Sequence, residues 1–142
     1  MTMKLTIGDY DVATIRDHIG AEREPSSVYT DVPVEAWDRY KAIALDPDGL
    51  WRSVWRAHLI RPTSGDGPVI LVDAGMGPGP YAHTGRNGEL LDNLAAGGVS
   101  PDQVDAVVTT HVHGDHIGWN ITWDNDSPRL TFPNATYHIA SN

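Results

Sequence analysis

The chain has 142 residues, enough for one compact domain and too few for two. Its 19 acidic and 10 basic side chains give a net charge of −9, which repels nucleic-acid phosphates and anionic membrane surfaces and argues against both as partners. There is no cysteine, hence no disulfide framework, no thiolate nucleophile and no sulfur-ligated metal; any metal is held by nitrogen and oxygen.

The first residues, Met1 to Thr6, lack the apolar stretch of a secretory signal, and a run such as Val69-Ile70-Leu71-Val72 is far too short to span a membrane. The expectation is a cytoplasmic protein that handles a small molecule. Loose alternation over residues 4–16 predicts one or two short strands around Leu5, Ile7, Val12 and Ile15. Residues 21–31, with Pro25, Ser26 and Ser27, read as a loop. Pro33 suits a first helical position, and Val34, Trp37, Lys41, Ala44 and Leu45 follow at near-helical spacing until Asp46-Pro47-Asp48-Gly49 stops the helix. Ser53 to Arg61 reads as a strand with Trp55, Ala57 and Leu59 on one face. Ser64-Gly65-Asp66-Gly67 is hairpin-turn chemistry, and Val69 to Val72 is the apolar return strand.

That strand ends at Asp73-Ala74-Gly75, and a Gly/Pro-rich loop runs on to Pro80. A second helix is predicted from an Asn87 cap through Leu90, Leu91, Leu94 and Ala95 to Gly97-Gly98. Ser100-Pro101-Asp102-Gln103 has the form of a capping box, so a helical turn follows. Ala106-Val107-Val108 is a buried strand leading into His111, Asp124 to Pro128 a polar loop, and Ala135 to Ile139 a last strand. A hairpin followed by strand–helix–strand means a mixed α/β architecture.

The chemistry concentrates in His111-Val112-His113-Gly114-Asp115-His116. In extended backbone, residues two apart point to one side, so His111 and His113 are expected to face one cation. Gly114 permits a turn, after which Asp115 and His116 face a second position beside the first. Three imidazoles and a carboxylate suit zinc, and also iron, manganese or cobalt. Such a site lets water lose its proton near neutral pH, and two metals about 3.5–4 Å apart share the resulting nucleophile. Of the chain's seven histidines, these three stand in six residues at a strand end, a density that incidental placement does not explain.

With that run the sequence resembles the metallo-β-lactamase superfamily, whose signature is His-x-His-x-Asp-His. Val69 to Gly75 is similar to the family's strand ending in aspartate and glycine, and Leu90 to Val108 to its helix and strand before the signature. Val107 to Trp119 and Leu130 to Tyr137 look most like the lactonase-like and organophosphate-hydrolase-like members, and the resemblance covers about residues 53–140. It implies a four-layer αβ/βα sandwich, of which this chain supplies the amino-terminal half, and a hydrolase acting on an ester, lactone or similar small substrate. By resemblance, His111 and His113 are ligands of a first metal, Asp115 and His116 of a second, and Asp115 is also the catalytic group that passes a proton to the leaving group. Asp73 corresponds either to a group bracing the ligand loop or to a turn residue at a strand end.

The family's complete site also has a third histidine for the first metal, a bridging aspartate and a last histidine, none of which this chain matches. His138, the one histidine after the signature, follows it too closely. The chain therefore reads as a fragment. The alternative to an active enzyme is a non-catalytic half-domain that binds metal weakly or not at all, and such a chain is expected to be partly unfolded, aggregated or paired as a homodimer through an apolar sheet face. Weaker signals are the Gly75/Gly77/Gly79 loop, where Pro78 and Pro80 favour a shaped turn over a phosphate cradle, and Trp119, which either lines a substrate pocket or packs. His18, His58, His83 and His138 read as unrelated to the metal.

Overall fold

The computed structural model describes residues 3–140, which are mixed α/β. They divide into two compact units, Met1–His18 with Trp55–Asn142, and Ile19–Val54.

In the larger unit, β1 (Lys4–Ile7) and β2 (Tyr10–Ile19) form an antiparallel hairpin in the register Leu5↔Val12. The smaller unit is mostly short turns. Pro25–Val28 forms a one-turn helix, α1, where a loop was expected; Pro25 occupies its first turn and the Ser27 hydroxyl donates to the Glu24 carbonyl. The single helix expected over Val34 to Leu45 is instead a 3-10 turn, Val34–Trp37, and a separate turn, α2 (Lys41–Ala44). No residue of either piece is buried, Trp37 resting only part-covered on the Tyr29 ring at 5.4 Å, and a helix with so little tertiary cover is marginal at this length. The turn after it forms as expected, with the Asp46 carboxylate accepting from Asp48 and Leu50 amides and from Arg52. Arg52, first, and then the Leu50 amide hold the Asp46 carboxyl below its ordinary range.

Back in the larger unit, β3 (Val54–Pro62) runs antiparallel to β4 (Ile70–Val72), pairing Leu59 with Leu71 across the predicted Gly-rich turn. Helix α3 (Leu90–Ala96) follows, then a 3-10 turn, Pro101–Gln103, with the expected Ser100/Gln103 capping box. Helix α3 starts at a Glu89 cap rather than at Asn87. The residues before the helix are tied to other segments: the Gly88 amide donates to Pro78 O and the Glu89 amide to Asp17 O. Strand β5 (Ala106–Thr109) lies parallel to β4, and β8 (Thr136–Ile139) parallel to β5. The sheet order is β1-β2-β3-β4-β5-β8. Between β5 and β8 come a one-turn helix, α4 (Gly114–Ile117), and a second hairpin, β6 (Ile121–Asp124) with β7 (Ser127–Leu130). The polar run read as a loop is the tip of this hairpin: Asn125 and Asp126 both take positive φ, 46° and 65°, the geometry that two-residue hairpin turns require.

The core follows from the alternation. Ala57 and Leu59 of β3, Leu71 of β4 and Val107 of β5 point to one side of the sheet, where Leu90 and Leu94 of α3 cover them together with Val99, Val104 and Phe132. Trp119 is buried in the same cluster and its indole N–H donates to the Asp17 carboxylate at 2.7 Å, so of its two readings the structure takes packing. No helix among the described residues is long and apolar enough to cross a membrane.

Candidate metal centre

Parallel neighbours β4 and β5 set the place. Both run the same way, so the loops leaving their carboxyl ends emerge side by side, the position at which open α/β sheets bind ligands. One loop begins with Asp73, the other with Thr110 and His111.

The strand leading into the signature stops at Thr109. Beyond it the backbone bends, with the His113 amide donating to His111 O at 3.1 Å, so the expected extended geometry is replaced by a tight turn. The turn still keeps the rings together: centroids of His111 and His113 are 4.6 Å apart, and those of His111 and His116 are 3.9 Å apart. Gly114 opens α4 as the turn residue and puts Asp115 and His116 on its first turn.

Asp73 is the hub beneath these rings. It is 7% exposed and held at φ 60°, a left-handed conformation that a non-glycine residue adopts only at some cost. Its carboxylate accepts from the Thr110 amide and hydroxyl, each at 2.9 Å, and its Oδ2 is 2.9 Å from Nδ1 of His116. Burial opposes the charge on Asp73, but the hydrogen bonds from Thr110 and His116 outweigh it and hold the carboxyl below its ordinary range. Of the two readings of Asp73, the structure therefore takes the brace.

These bonds also orient the rings. The Thr110 hydroxyl has one proton and gives it to Asp73, so Thr110 Oγ1 accepts from Nδ1 of His111, 3.1 Å away. His116 likewise gives its Nδ1 proton to Asp73. Both imidazoles are left with the Nε2 lone pair free, the tautomer in which histidine binds a metal. Asp115 completes the group: its Oδ2 is 3.6 Å from Nε2 of His116 and accepts from the Trp55 indole N–H at 3.2 Å. Two ligands of one tetrahedral zinc, each about 2.0–2.1 Å from it, stand roughly 3.4 Å apart, so the Asp115–His116 pair fits a shared cation. Among the described residues, however, no three histidine, aspartate or glutamate side chains are grouped so as to hold one metal ion. The four residues named from sequence thus share one turn and offer a two-donor fit.

Backbone bonds also tie the ligand turn to the loop after β4. The Ala74 amide donates to His116 O, the Gly118 amide to Gly75 O and the Trp119 amide to Ala74 O, each at 2.8 Å. Asp17, fully buried, ties the assembly from below through the Met76 amide, the Leu90 amide and the Trp119 indole. Glycines at 75, 77 and 79 all have positive φ and form a shaped turn, as the interrupting prolines imply. Beside this loop His18, Tyr81, His83 and Trp55 make a ring cluster, in which burial pushes the Tyr81 hydroxyl up to about 12. Sequence reasoning set His18 and His83 apart from the site and put Trp55 only on a strand face. No local spacing signals the meeting of Trp55 with Asp115, 60 residues away. His138 sits on β8 opposite Val108, within the sheet.

Residues 56–138 match the Metallo-beta-lactamase superfamily. Over 49 residues the chain is 54% identical to Metallo-beta-lactamase domain-containing protein 1 of Mus musculus, covering 34% of this chain and 16% of that protein. Among solved structures it is similar to AbOPH, a hydrolase in the beta lactamase superfamily, with 28% identity, a TM-score of 0.69, and coverage of 96% of this chain and 43% of that one. It is also similar to AidC, a dizinc quorum-quenching lactonase, with 24% identity, a TM-score of 0.71 and the same coverage. A probable metal-dependent hydrolase from Staphylococcus aureus matches with 19% identity and a TM-score of 0.68, over 94% of this chain and 47% of that one. The last two likenesses concern the fold alone. The chain spans less than half the length of each protein it matches.

Proposed function

Since this chain belongs to the Metallo-beta-lactamase superfamily, we propose that it carries part of the divalent-metal centre of a hydrolase acting on an ester, lactone or similar small substrate. The observation that carries the reading is the pairing of Asp115 Oδ2 with His116 Nε2 at 3.6 Å, with the other ring nitrogen of His116 engaged by Asp73. His116 and Asp115 would hold one cation, zinc being the metal that best suits the donors, and His111 and His113, whose ring centroids are 4.6 Å apart, would supply nitrogen donors for a second. When bound, such a cation polarises the group under attack and acidifies water enough for it to act as nucleophile near neutral pH.

The protein's own residues do the rest. Asp73 and Thr110 fix the tautomers of His116 and His111, so that neither ring has to reorient on binding. The Asp115 carboxylate, at the surface edge of the turn, takes a proton and returns it to the departing oxygen of the substrate. Its remaining acceptor positions suit it to that task. Because two donors from this turn leave a cation undercoordinated, further ligands belong to the working centre.

A pH-stat assay with simple lactones and aryl esters tests the proposal, on the chain alone and on the chain combined with the remaining half of the fold from a superfamily hydrolase. Turnover is expected only in the combined form, abolished by a chelator and reduced at least 100-fold in Asp115→Asn. Hydrolysis that survives both chelator and Asp115→Asn contradicts the reading.

A further inference from the structure

Three of the four candidate ligands have a partner that aims them: Thr110 for His111, Asp73 for His116, and, for Asp115, the indole of Trp55. We propose that Trp55 is a positioning residue of the metal centre, holding the Asp115 carboxylate so that its free lone pair faces the same point as Nε2 of His116. The inference rests on the metal reading above and adds to it a residue that the signature does not contain.

The chemistry favours a positioning role. An indole N–H is a donor only, and therefore neither competes for the cation nor takes up a proton. Oδ2 of Asp115 accepts from it at 3.2 Å with one lone pair and keeps the other for the point it shares with His116, 3.6 Å away. The ring also covers one side of a carboxylate that would otherwise swing in water, since the Asp115 side chain is 37% exposed.

Trp55 is itself held. It lies on β3, half-buried, with Ala57 of the same strand face packed in the core. The ring of His18, 1% exposed, lies 5.6 Å from that of Trp55, and the His83 ring meets Trp55 edge-on at 6.4 Å. His18 is fixed in turn by the Tyr81 ring at 4.5 Å and by Thr84 Oγ1 at 3.2 Å, and the Tyr81 hydroxyl donates to the Gly77 carbonyl. A stack of rings thus runs from the buried base of the loop to the edge of the site and ends on Asp115. That arrangement accounts for two histidines, His18 and His83, which the signature leaves without a role.

A double-mutant cycle read by zinc affinity, measured by competition with a chromophoric chelator, tests the inference on the full chain. Trp55→Phe keeps the ring and removes the donor. It is expected to weaken zinc binding on the order of 10- to 100-fold, the usual effect of removing a partner of a ligand, and to leave affinity unchanged when Asp115 is already alanine. Equal affinity of Trp55→Phe and the wild type overturns the proposal. So does an undiminished loss in the Asp115→Ala background, which would mean that the ring acts through packing. A second readout does not depend on Trp55→Phe folding: the Trp55 indole N–H resonance should shift as zinc is added and lose exchange protection in Asp115→Ala, and a signal indifferent to both overturns the proposal. The metal reading fails separately, and this inference with it, if the wild type takes up no zinc. If His116→Ala abolishes uptake while Trp55→Phe does not alter it, this inference alone fails.

Discussion

Gly118→Ala is expected to destabilise the protein by roughly 3 kcal/mol or more, a fall in melting temperature on the order of 10 °C for a chain of this size. The reason is steric alone. Gly118 sits at φ −60°, ψ −33°, where alanine is ordinarily welcome. A Cβ added there, however, would overlap the carbonyl group of Met76 and the amide nitrogen of Gly77. These are backbone atoms, pinned by the Asp17–Met76 hydrogen bond at 2.6 Å and the Gly118–Gly75 bond at 2.8 Å, so they have no rotamer through which to yield. The methyl group must push the ligand turn away from the loop after β4, breaking the three backbone bonds that join them. Gly114, a few residues earlier, has nothing near its missing Cβ and supplies the control. Gly114→Ala should cost less than about 1 kcal/mol, so a thermal melt of the two variants side by side decides the matter. Equal stability of the two would show that the segments are not in close contact.

Replacing Asp73 has a comparable expected effect with a different origin. In Asp73→Ala the Thr110 amide, the Thr110 hydroxyl and Nδ1 of His116 lose their common acceptor; hydrogen bonds to a charged group are worth about 1.5–3 kcal/mol, and less where water replaces them, as it does at the exposed Thr110. Alanine is also held at φ 60°, but aspartate already bears that cost of roughly 1–2 kcal/mol in the wild type, so the backbone adds little to the difference. The expected loss is about 3 kcal/mol. Asp73→Gly separates the two parts, since glycine accepts that φ freely but provides no acceptor. Denaturant melts should rank the wild type above Asp73→Gly and Asp73→Gly above Asp73→Ala by about 1 kcal/mol. If Asp73→Ala matched the wild type, the carboxylate would not be the hub of the turn.

What was legible in the sequence was what depends on neighbours along the chain. The strand Ala106 to Val108, the capping box at Ser100 and Gln103, and the signature from His111 to His116 all carry their information within a few residues, and the structure forms the box before β5 and the signature turn after its carboxyl end. Asp73 was visible as a strand-end carboxylate, but choosing between brace and turn required the partners it meets at Thr110 and His116. Where a pattern lacked tertiary support it misled: the helical spacing from Val34 to Leu45 buries no residue and breaks into two turns. Boundaries moved where the chain is tied to other segments, as at Asn87, whose successors bond to Asp17 and Pro78. The contacts of Trp55 and Asp17 were not legible at all. The bonds between Trp55 and Asp115 and between Trp119 and Asp17 join residues 60 and 102 positions apart, and one sequence records no trace of such pairings.

The central claim is that the turn from His111 to His116 takes up a divalent cation through imidazole nitrogen and carboxylate oxygen. Long-range ¹H–¹⁵N spectra of the histidine side chains during zinc titration test it directly, because ring nitrogens report tautomer and coordination separately. The account predicts that before zinc is added His116 and His111 carry their protons on Nδ1. It predicts further that zinc moves Nε2 of His116 first, with His111 and His113 following, while His58 and His138 remain where they were. Zinc-dependent shifts confined to His58 or His138, or no shift at His116 at saturating zinc, would contradict it.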